Sequence, residues 1–201
     1  IIGGAAVSEN LKTKIFKAIS DKPKANRIFE TYGMSETLSH IALKEIYPKA
    51  DDYFKVLDEI EISLDERGCL KINAPKLNPE ILQTNDLVKI KDNNQFKSLG
   101  RIDHVINSGG AKIFPEELEV LVKKDFENEV VFLGVPDEIL GQKLVVVIEG
   151  LQDENLKSQI SNLKFSKSFH KPKQIIFVDE IPRTPNGKVN RNALSEMILT
   201  Q

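Results

Sequence analysis

Apolar and polar residues alternate with a period of two through 58–75, DEIEISLDERGCLKINAP, and again through 86–103, DLVKIKDNNQFKSLGRID. Each run is interrupted once by turn-forming residues, Asp65-Glu66-Arg67-Gly68 in the first and Asp92-Asn93-Asn94 in the second. Such alternation half-buries a strand and the central turn folds it back, so both runs predict antiparallel hairpins. Upstream, NRIFETYG (26–33) predicts a strand ending at Gly33, and MSETLSHIALKEIY (34–47) alternates until Pro48 stops it. At the start, Ile1-Ile2 reads as a strand end and Gly3-Gly4-Ala5 as a close-packed turn. Ser8 is placed to cap a helix over about 9–19.

The pattern changes after Gly100-Arg101. HVINSGGAKIF (104–114) predicts a hairpin across Gly109-Gly110. PEELEVLVKKD (115–125) predicts a helix with Pro115 in its first turn, where a missing N–H costs little, and two glutamates beside the positive end of the helix dipole. Strands are predicted at 129–137, 143–150 and 173–181, helices at 153–163 and from about Asn190. About one hundred residues are enough for a core of their own. The fold class is α+β in two parts. Residues 1–100 form an α/β piece with a small antiparallel barrel or sheet, residues 101–201 a compact α+β domain, and the boundary falls near Arg101 to Asp103.

Composition narrows the function classes. The chain has 201 residues, 40% hydrophobic and 29% charged, a globular balance. A formal net charge of −2 supplies no basic field for nucleic acid. No apolar run reaches the length of a membrane span. The single cysteine, Cys69, excludes an internal disulfide and a cysteine metal cluster, which suits a reducing cytoplasm. No phosphate-binding Gly-x-x-x-x-Gly-Lys-Ser/Thr, no Gly-x-Gly-x-x-Gly and no Gly-x-Ser-x-Gly elbow is present. His40, His104 and His170 lack metal-ligand spacing.

Several short stretches carry candidate chemistry. YGMSET (32–37) joins a ring, a glycine, a hydroxyl and a carboxylate at a strand end; it reads equally as a strand-to-loop corner. In TND (84–86), Asp86 is a carboxylate that suits a ribose, or an ordinary turn aspartate. In GRIDHVINSGGAKIFPEELE (100–119), Arg101 offers a fork for phosphate or ribose oxygens, and Gly109-Gly110 permit close backbone approach. RTPNGKVNR (183–191) is a Pro-Asn-Gly turn that carries one lysine, Lys188.

Taken in order, GGA (3–5), YGMSET, TND, GRIDHVINSGGAKIFPEELE and PRTPNGKVNR (182–191) resemble the motif series of the adenylate-forming acyl-CoA synthetase superfamily of AMP-binding enzymes, from end to end of the chain. YGMSETLSHIALK (32–44) is most similar to the o-succinylbenzoate–CoA ligases of menaquinone synthesis. The resemblance implies a ligase that uses ATP, Mg²⁺ and coenzyme A to turn a carboxylic acid into a thioester through an acyl-adenylate. On matching positions, Gly3, Gly4 and Ala5 line the adenine and acyl pocket, Tyr32 stacks on the adenine, and Gly33 belongs to the nucleotide site. Ser35 contacts the α-phosphate, Glu36 binds Mg²⁺, and Asp86 and Arg101 hold the ribose. Asp103 is implied to be the hinge of a mobile C-terminal domain, Ser108, Gly109 and Gly110 the loop of the thioester step, and Lys188 the lysine that assists adenylation.

Two departures matter. The usual Thr-Gly-Asp is Thr84-Asn85-Asp86 here, and the superfamily's phosphate loop is absent. The chain therefore reads as the C-terminal part of a cytoplasmic enzyme, inactive alone and completed by an N-terminal part. A homo-oligomer, another acyl- or aryl-CoA synthetase, a domain that loads a carrier protein, and a non-catalytic nucleotide-binding module all stay open.

Overall fold

The alternating runs of the first half fold into one antiparallel sheet. A computed structural model describes residues 1–3, 7, 9–19, 26–124, 126 and 128–200. Helix α1 (Glu9–Ile19) precedes strands β1 (Ile28–Gly33), β2 (His40–Tyr47), β3 (Phe54–Val56), β4 (Glu61–Leu64), β5 (Cys69–Asn73), β6 (Leu82–Asp92) and β7 (Gln95–Arg101). The expected cap, Ser8, lies outside the described residues. The sheet order is β1-β2-β3-β7-β6-β5-β4, every pair antiparallel. Among the described residues nothing joins β1 to β4, so the barrel-or-sheet alternative resolves to an open sheet. Ile41, Leu70, Ile72 and Phe96 are fully buried on its inner face, where Phe54 stacks on Phe96 at 5.5 Å.

Residues from His104 onward form a second unit, the first being Ile1–Asp103. The short hairpin β8 (Ile106–Ser108) and β9 (Ala111–Ile113) leads into α2 (Pro115–Val122), which ends three residues before the predicted limit. Then follow β10 (Val130–Asp137), β11 (Gly141–Glu149), α3 (Glu154–Ser161), β12 (Gln174–Val178) and α4 (Arg191–Leu199). Strand β11 is central: it pairs antiparallel with β10 and β8 and parallel with β12.

The near-continuous apolar runs of β10 and β11 reflect burial on both faces. Val130, Phe132, Leu144, Val146 and Ile148 pack with Leu118 and Val122 of α2 and Leu156 and Ile160 of α3. Their neighbours Val131, Leu133, Val135, Val145 and Val147 pack on the opposite face with Ile181 and with Leu194 of α4. Alternate side chains of a strand point to opposite faces, so a sheet between two helical layers needs apolar residues at every position. Asp153 caps α3 by accepting from the N–H groups of Asn155 and Leu156, and Asn190 caps α4 by accepting from Ala193.

Candidate functional site

Backbone geometry first shapes YGMSET. The register between β1 and β2 slips between Tyr32 and Gly33, and the chain leaves the strand there. A Cβ on Gly33 would lie 2.5 Å from the Ser39 carbonyl oxygen and 2.7 Å from the His40 Cα, so only glycine fits. Residues Ser35–Thr37 make one 3₁₀ turn that ends at Leu38 in the left-handed region with φ 58°. The turn is pinned by the buried Thr37 hydroxyl. It accepts from the Met34 N–H at 3.1 Å and shares its proton between the carbonyls of Ser39 (2.6 Å) and Met34 (2.9 Å). Thr37 thus holds Ser35 and Glu36 exposed at the tip, a role that the sequence reading did not give it.

Beside the turn lies an open cleft of about 360 Å³ lined by Ile1, Gly3, Thr31, Gly33, Met34, Leu38, Ser39 and His40, within the size range of small-ligand sites. Ile2 forms an isolated parallel bridge to Glu30, and a Cβ on Gly3 would come within 2.3 Å of Thr31 Oγ1. Gly4 and Ala5, expected to line the same pocket, lie outside the described residues. Gly33→Ala is expected to cost the first unit about 1–3 kcal/mol, because the atoms in the way are backbone. A lower urea midpoint with an unchanged slope checks this; an unchanged midpoint would show that the Ser39–His40 backbone gives way.

The seven named strands pair antiparallel, and among the described residues the parallel pairing to this sheet is the isolated Ile2–Glu30 bridge, beyond which Gly3 and Gly33 border the cleft. Cross-strand register assembles the polar groups. Asp86 on β6 stands opposite Arg101 on β7. The Tyr32 hydroxyl donates to Asp86 Oδ2 at 2.5 Å, and Arg101 reaches Asp86 Oδ1 at 3.4 Å and Asp103 Oδ2 at 3.1 Å. Burial first, and the Asp86 charge second, push the Tyr32 hydroxyl well above the ordinary phenol range, so it remains a donor. The Tyr32 ring itself packs edge-on against Phe96, with centroids 5.0 Å apart. The chain of contacts runs further than the sequence suggested. Asn85 donates to Asp103 and accepts from Arg67, which also donates to the Thr84 carbonyl and to Asp65.

In the second unit, Ser108 and Ala111 pair across the turn that Gly109 (φ 57°) and Gly110 (φ 81°) make possible. The Gly109 N–H donates to the Leu140 carbonyl at 2.9 Å, and no atom lies within 4 Å of where a Gly110 Cβ would be.

The lysine turn is a miniature hairpin. Arg183 and Val189 form an antiparallel bridge, the Gly187 N–H donates to the Thr184 carbonyl at 2.8 Å, and Gly187 has φ 78°. Pro185 presets the turn and Gly187 supplies the left-handed residue that such a hairpin needs. Lys188 is then tied at both ends of its backbone to one residue. Its carbonyl accepts from the Thr184 N–H at 2.7 Å, and its N–H donates to Thr184 Oγ1 at 3.2 Å. Its exposed ammonium makes no ion pair with the described residues.

Tyr32, Asp86, Arg101 and Asp103 are therefore in direct contact. Ser35 and Glu36 occupy the turn that follows Tyr32, and Gly3 and Gly33 face one cleft. Ser108–Gly110 and Lys188 sit on separate hairpins of the second unit. His104 bonds Glu116 through Nδ1 at 2.5 Å. Burial pushes the Glu116 carboxyl up, but the His104 bond and the Arg191 charge outweigh it and hold it below the usual range.

Residues 119–188 match the family described as AMP-binding enzyme C-terminal domain. A 2-succinylbenzoate–CoA ligase of Listeria monocytogenes is 28% identical over 190 residues, covering 84% of this chain and 40% of that protein. A 2-succinylbenzoate–CoA ligase of Listeria innocua is 28% identical over 225 residues, covering 97% of this chain and 48% of that protein. The chain thus spans less than half the length of these relatives. Among solved structures, ATP-bound MatB from Rhodopseudomonas palustris superposes with a TM-score of 0.75 at 19% identity, over 97% of this chain and 44% of that one.

Proposed function

From a chain related to the adenylate-forming CoA ligases, whose residues 119–188 match the AMP-binding enzyme C-terminal domain, we infer that the protein activates a carboxylic acid with ATP and passes the acyl group to coenzyme A. In the first step a carboxylate oxygen attacks the α-phosphorus and pyrophosphate leaves. In the second the thiolate attacks the acyl carbonyl and AMP leaves. No protein nucleophile is needed. The chain's own task is to hold anions together and to bring positive charge to them.

The observation that carries this reading is the Asp86 carboxylate. Tyr32 takes one oxygen and Arg101 the other, so its orientation is fixed. A carboxylate has about four acceptor positions, and those left over suit the paired hydroxyls of a ribose. In this reading Ser35 donates to the α-phosphate, and Lys188 brings its ammonium to the reacting carboxylate. Magnesium is implied by the family. Among the described residues no three-ligand cluster exists, but Glu36 is a single exposed carboxylate on a pinned turn. That fits an ion held by one carboxylate and the phosphates of the nucleotide, where it would neutralise phosphate charge.

The sequence boundary between the compact units, Asp103 to His104, supports Asp103 as the hinge on which Lys188 withdraws before the thiol enters. Ser108–Gly110 would then line the path of the thiol. The Listeria relatives make o-succinylbenzoate the first acid to test, and with it a place in menaquinone synthesis. A panel that adds aryl, medium-chain and dicarboxylic acids separates it from other CoA ligases.

Asp86→Asn keeps size and shape but removes the charge. It is expected to raise KM for ATP about 10- to 100-fold, the scale of a charged hydrogen bond, with a smaller change in kcat. ATP-dependent pyrophosphate exchange in the protein as the cell makes it measures this. An unchanged KM would remove Asp86 from the nucleotide site.

A further inference from the structure

The two compact units meet in sequence at Asp103 and His104, and these neighbours are anchored in opposite directions. His104 is tied into the second unit by Glu116. Asp103 is tied into the first. Its carboxylate accepts from Arg101 at 3.1 Å, and the Asn85 amide lies 3.1 and 3.4 Å from its two oxygens. Asn85 is in turn held from behind, because its Oδ1 accepts from Arg67 at 3.0 Å.

The charges decide the orientation of this amide. A guanidinium has only donors and a carboxylate only acceptors, so the Asn85 oxygen must face Arg67 and its NH₂ must face Asp103. Arg67 is itself braced. It donates to the Thr84 carbonyl at 2.9 Å and to Asp65 Oδ2 at 2.8 Å, and Asp65 accepts from the Cys69 N–H at 2.8 Å. The pairing of β5 with β6, Cys69 against Leu87, brings the 65–68 turn beside Thr84 and Asn85. A cation and an anion at the two ends of one amide polarise it, which strengthens both bonds.

We propose that Asn85, braced by Arg67, is a positioning residue that fastens Asp103 to the first unit and so confines domain movement to the Asp103–His104 junction. This rests on the ligase reading and on Asp103 as its hinge. Neither Asn85 nor Arg67 is assigned a contact with ATP, the acid or coenzyme A. They act through Asp103, by setting how readily the chain leaves one pose for the other.

The test uses the protein as the cell makes it and the acid that the substrate panel selects. Asn85→Ala removes both bonds. It is expected to change the ratio of pyrophosphate exchange to thioester formation from pre-made acyl-adenylate by about three- to tenfold, the scale of one net hydrogen bond. Limited proteolysis within 101–105 is expected to rise by a similar factor, a readout that needs no substrate. Asn85→Asp, equal in size but repelled by Asp103, should shift both in the same direction. Arg67→Met should shift them less, and the Arg67→Met/Asn85→Ala double variant no more than Asn85→Ala alone, because Arg67 acts through Asn85.

An unchanged ratio with unchanged proteolysis, or an equal fall in both half-reactions, overturns the proposal. Lys188→Ala is measured alongside. If it separates the half-reactions while Asn85→Ala does not, only the brace fails. If it does not separate them, the role of Lys188 fails; if the protein itself carries out neither half-reaction with any acid of the panel, the ligase reading fails and the brace with it.

Discussion

Lys188→Ala, in the protein as the cell makes it, is expected to lower acyl-adenylate formation by about 10²–10³-fold, the cost of removing one preorganised charge from a developing anion. Thioester formation from pre-made acyl-adenylate should persist. The geometry makes the variant a clean one. Thr184 holds the Lys188 backbone at both ends, Gly187 carries the unusual φ, and the side chain is exposed without an ion pair among the described residues. Truncation therefore removes a charge and leaves the turn, and stability should stay within about 0.5 kcal/mol. Pyrophosphate exchange and a coenzyme A-dependent assay on supplied adenylate measure the two steps separately. Equal losses in both would mean that the lysine supports the fold or both steps alike, and its assigned role would be wrong.

Arg191→Met is expected to destabilise the second unit by about 3–5 kcal/mol, the usual result of stranding one member of a buried ion pair. Arg191 donates to both Glu119 oxygens at 2.7 Å and to the Phe132 carbonyl at 2.9 Å, and Glu119 also accepts from the Phe132 N–H at 2.9 Å. Both side chains are only 12% exposed. Two of these hydrogen bonds fasten α2 and α4 to the same residue of β10, and the other two join the helices to each other.

Burial pushes the Glu119 carboxyl up even against the pull of Arg191. Without Arg191 it should rise further. A carboxyl raised in the folded state favours folding below its unfolded value, about 4.3, and loses that advantage as pH climbs through the folded value. The Arg191→Met deficit should therefore be smaller at pH 5 than at pH 8 in urea titrations. Glu119→Leu combined with Arg191→Met should recover most of the loss, since an apolar pair of similar volume needs no desolvation. A double variant as unstable as the single one would show that the hydrogen bonds to Phe132 matter more than the stranded charge.

Much of this architecture was readable along the chain, for local reasons. Period-two alternation located the hairpins β4–β5 and β6–β7; the first turn contains Asp65–Gly68, and the second is shorter than expected, Asn93 and Asn94, because Asp92 still pairs with Gln95. The continuous apolar runs that became β10 and β11, and Asn190 at the start of α4, were equally visible. Strand β3 was not. Phe54–Val56 is three residues long, too short to show a period, yet it joins β2 to β7 and so closes the gap between the two meanders. The motif residues Tyr32, Asp86 and Arg101 could be picked out as chemistry, but their contact could not, because the Tyr32–Asp86 bond spans 54 positions. Arg67 and Thr37 carried no signal at all. An arginine in a turn and a threonine after a glutamate are ordinary until a strand register or a buried hydroxyl gives them partners.

By itself the sequence determined what depends on neighbours a few residues apart: the turn around Pro185 and Gly187, the caps, the period of each strand, and the types of side chain available for binding an anion. Only the tertiary structure decided which of these meet. Arg67 reaches Asn85 across 18 positions and Arg191 reaches Glu119 across 72. Backbone propensity acts within a turn or two. Contacts at such separations form only after sheet register and core packing have brought distant segments together, and then charge and shape select the partner.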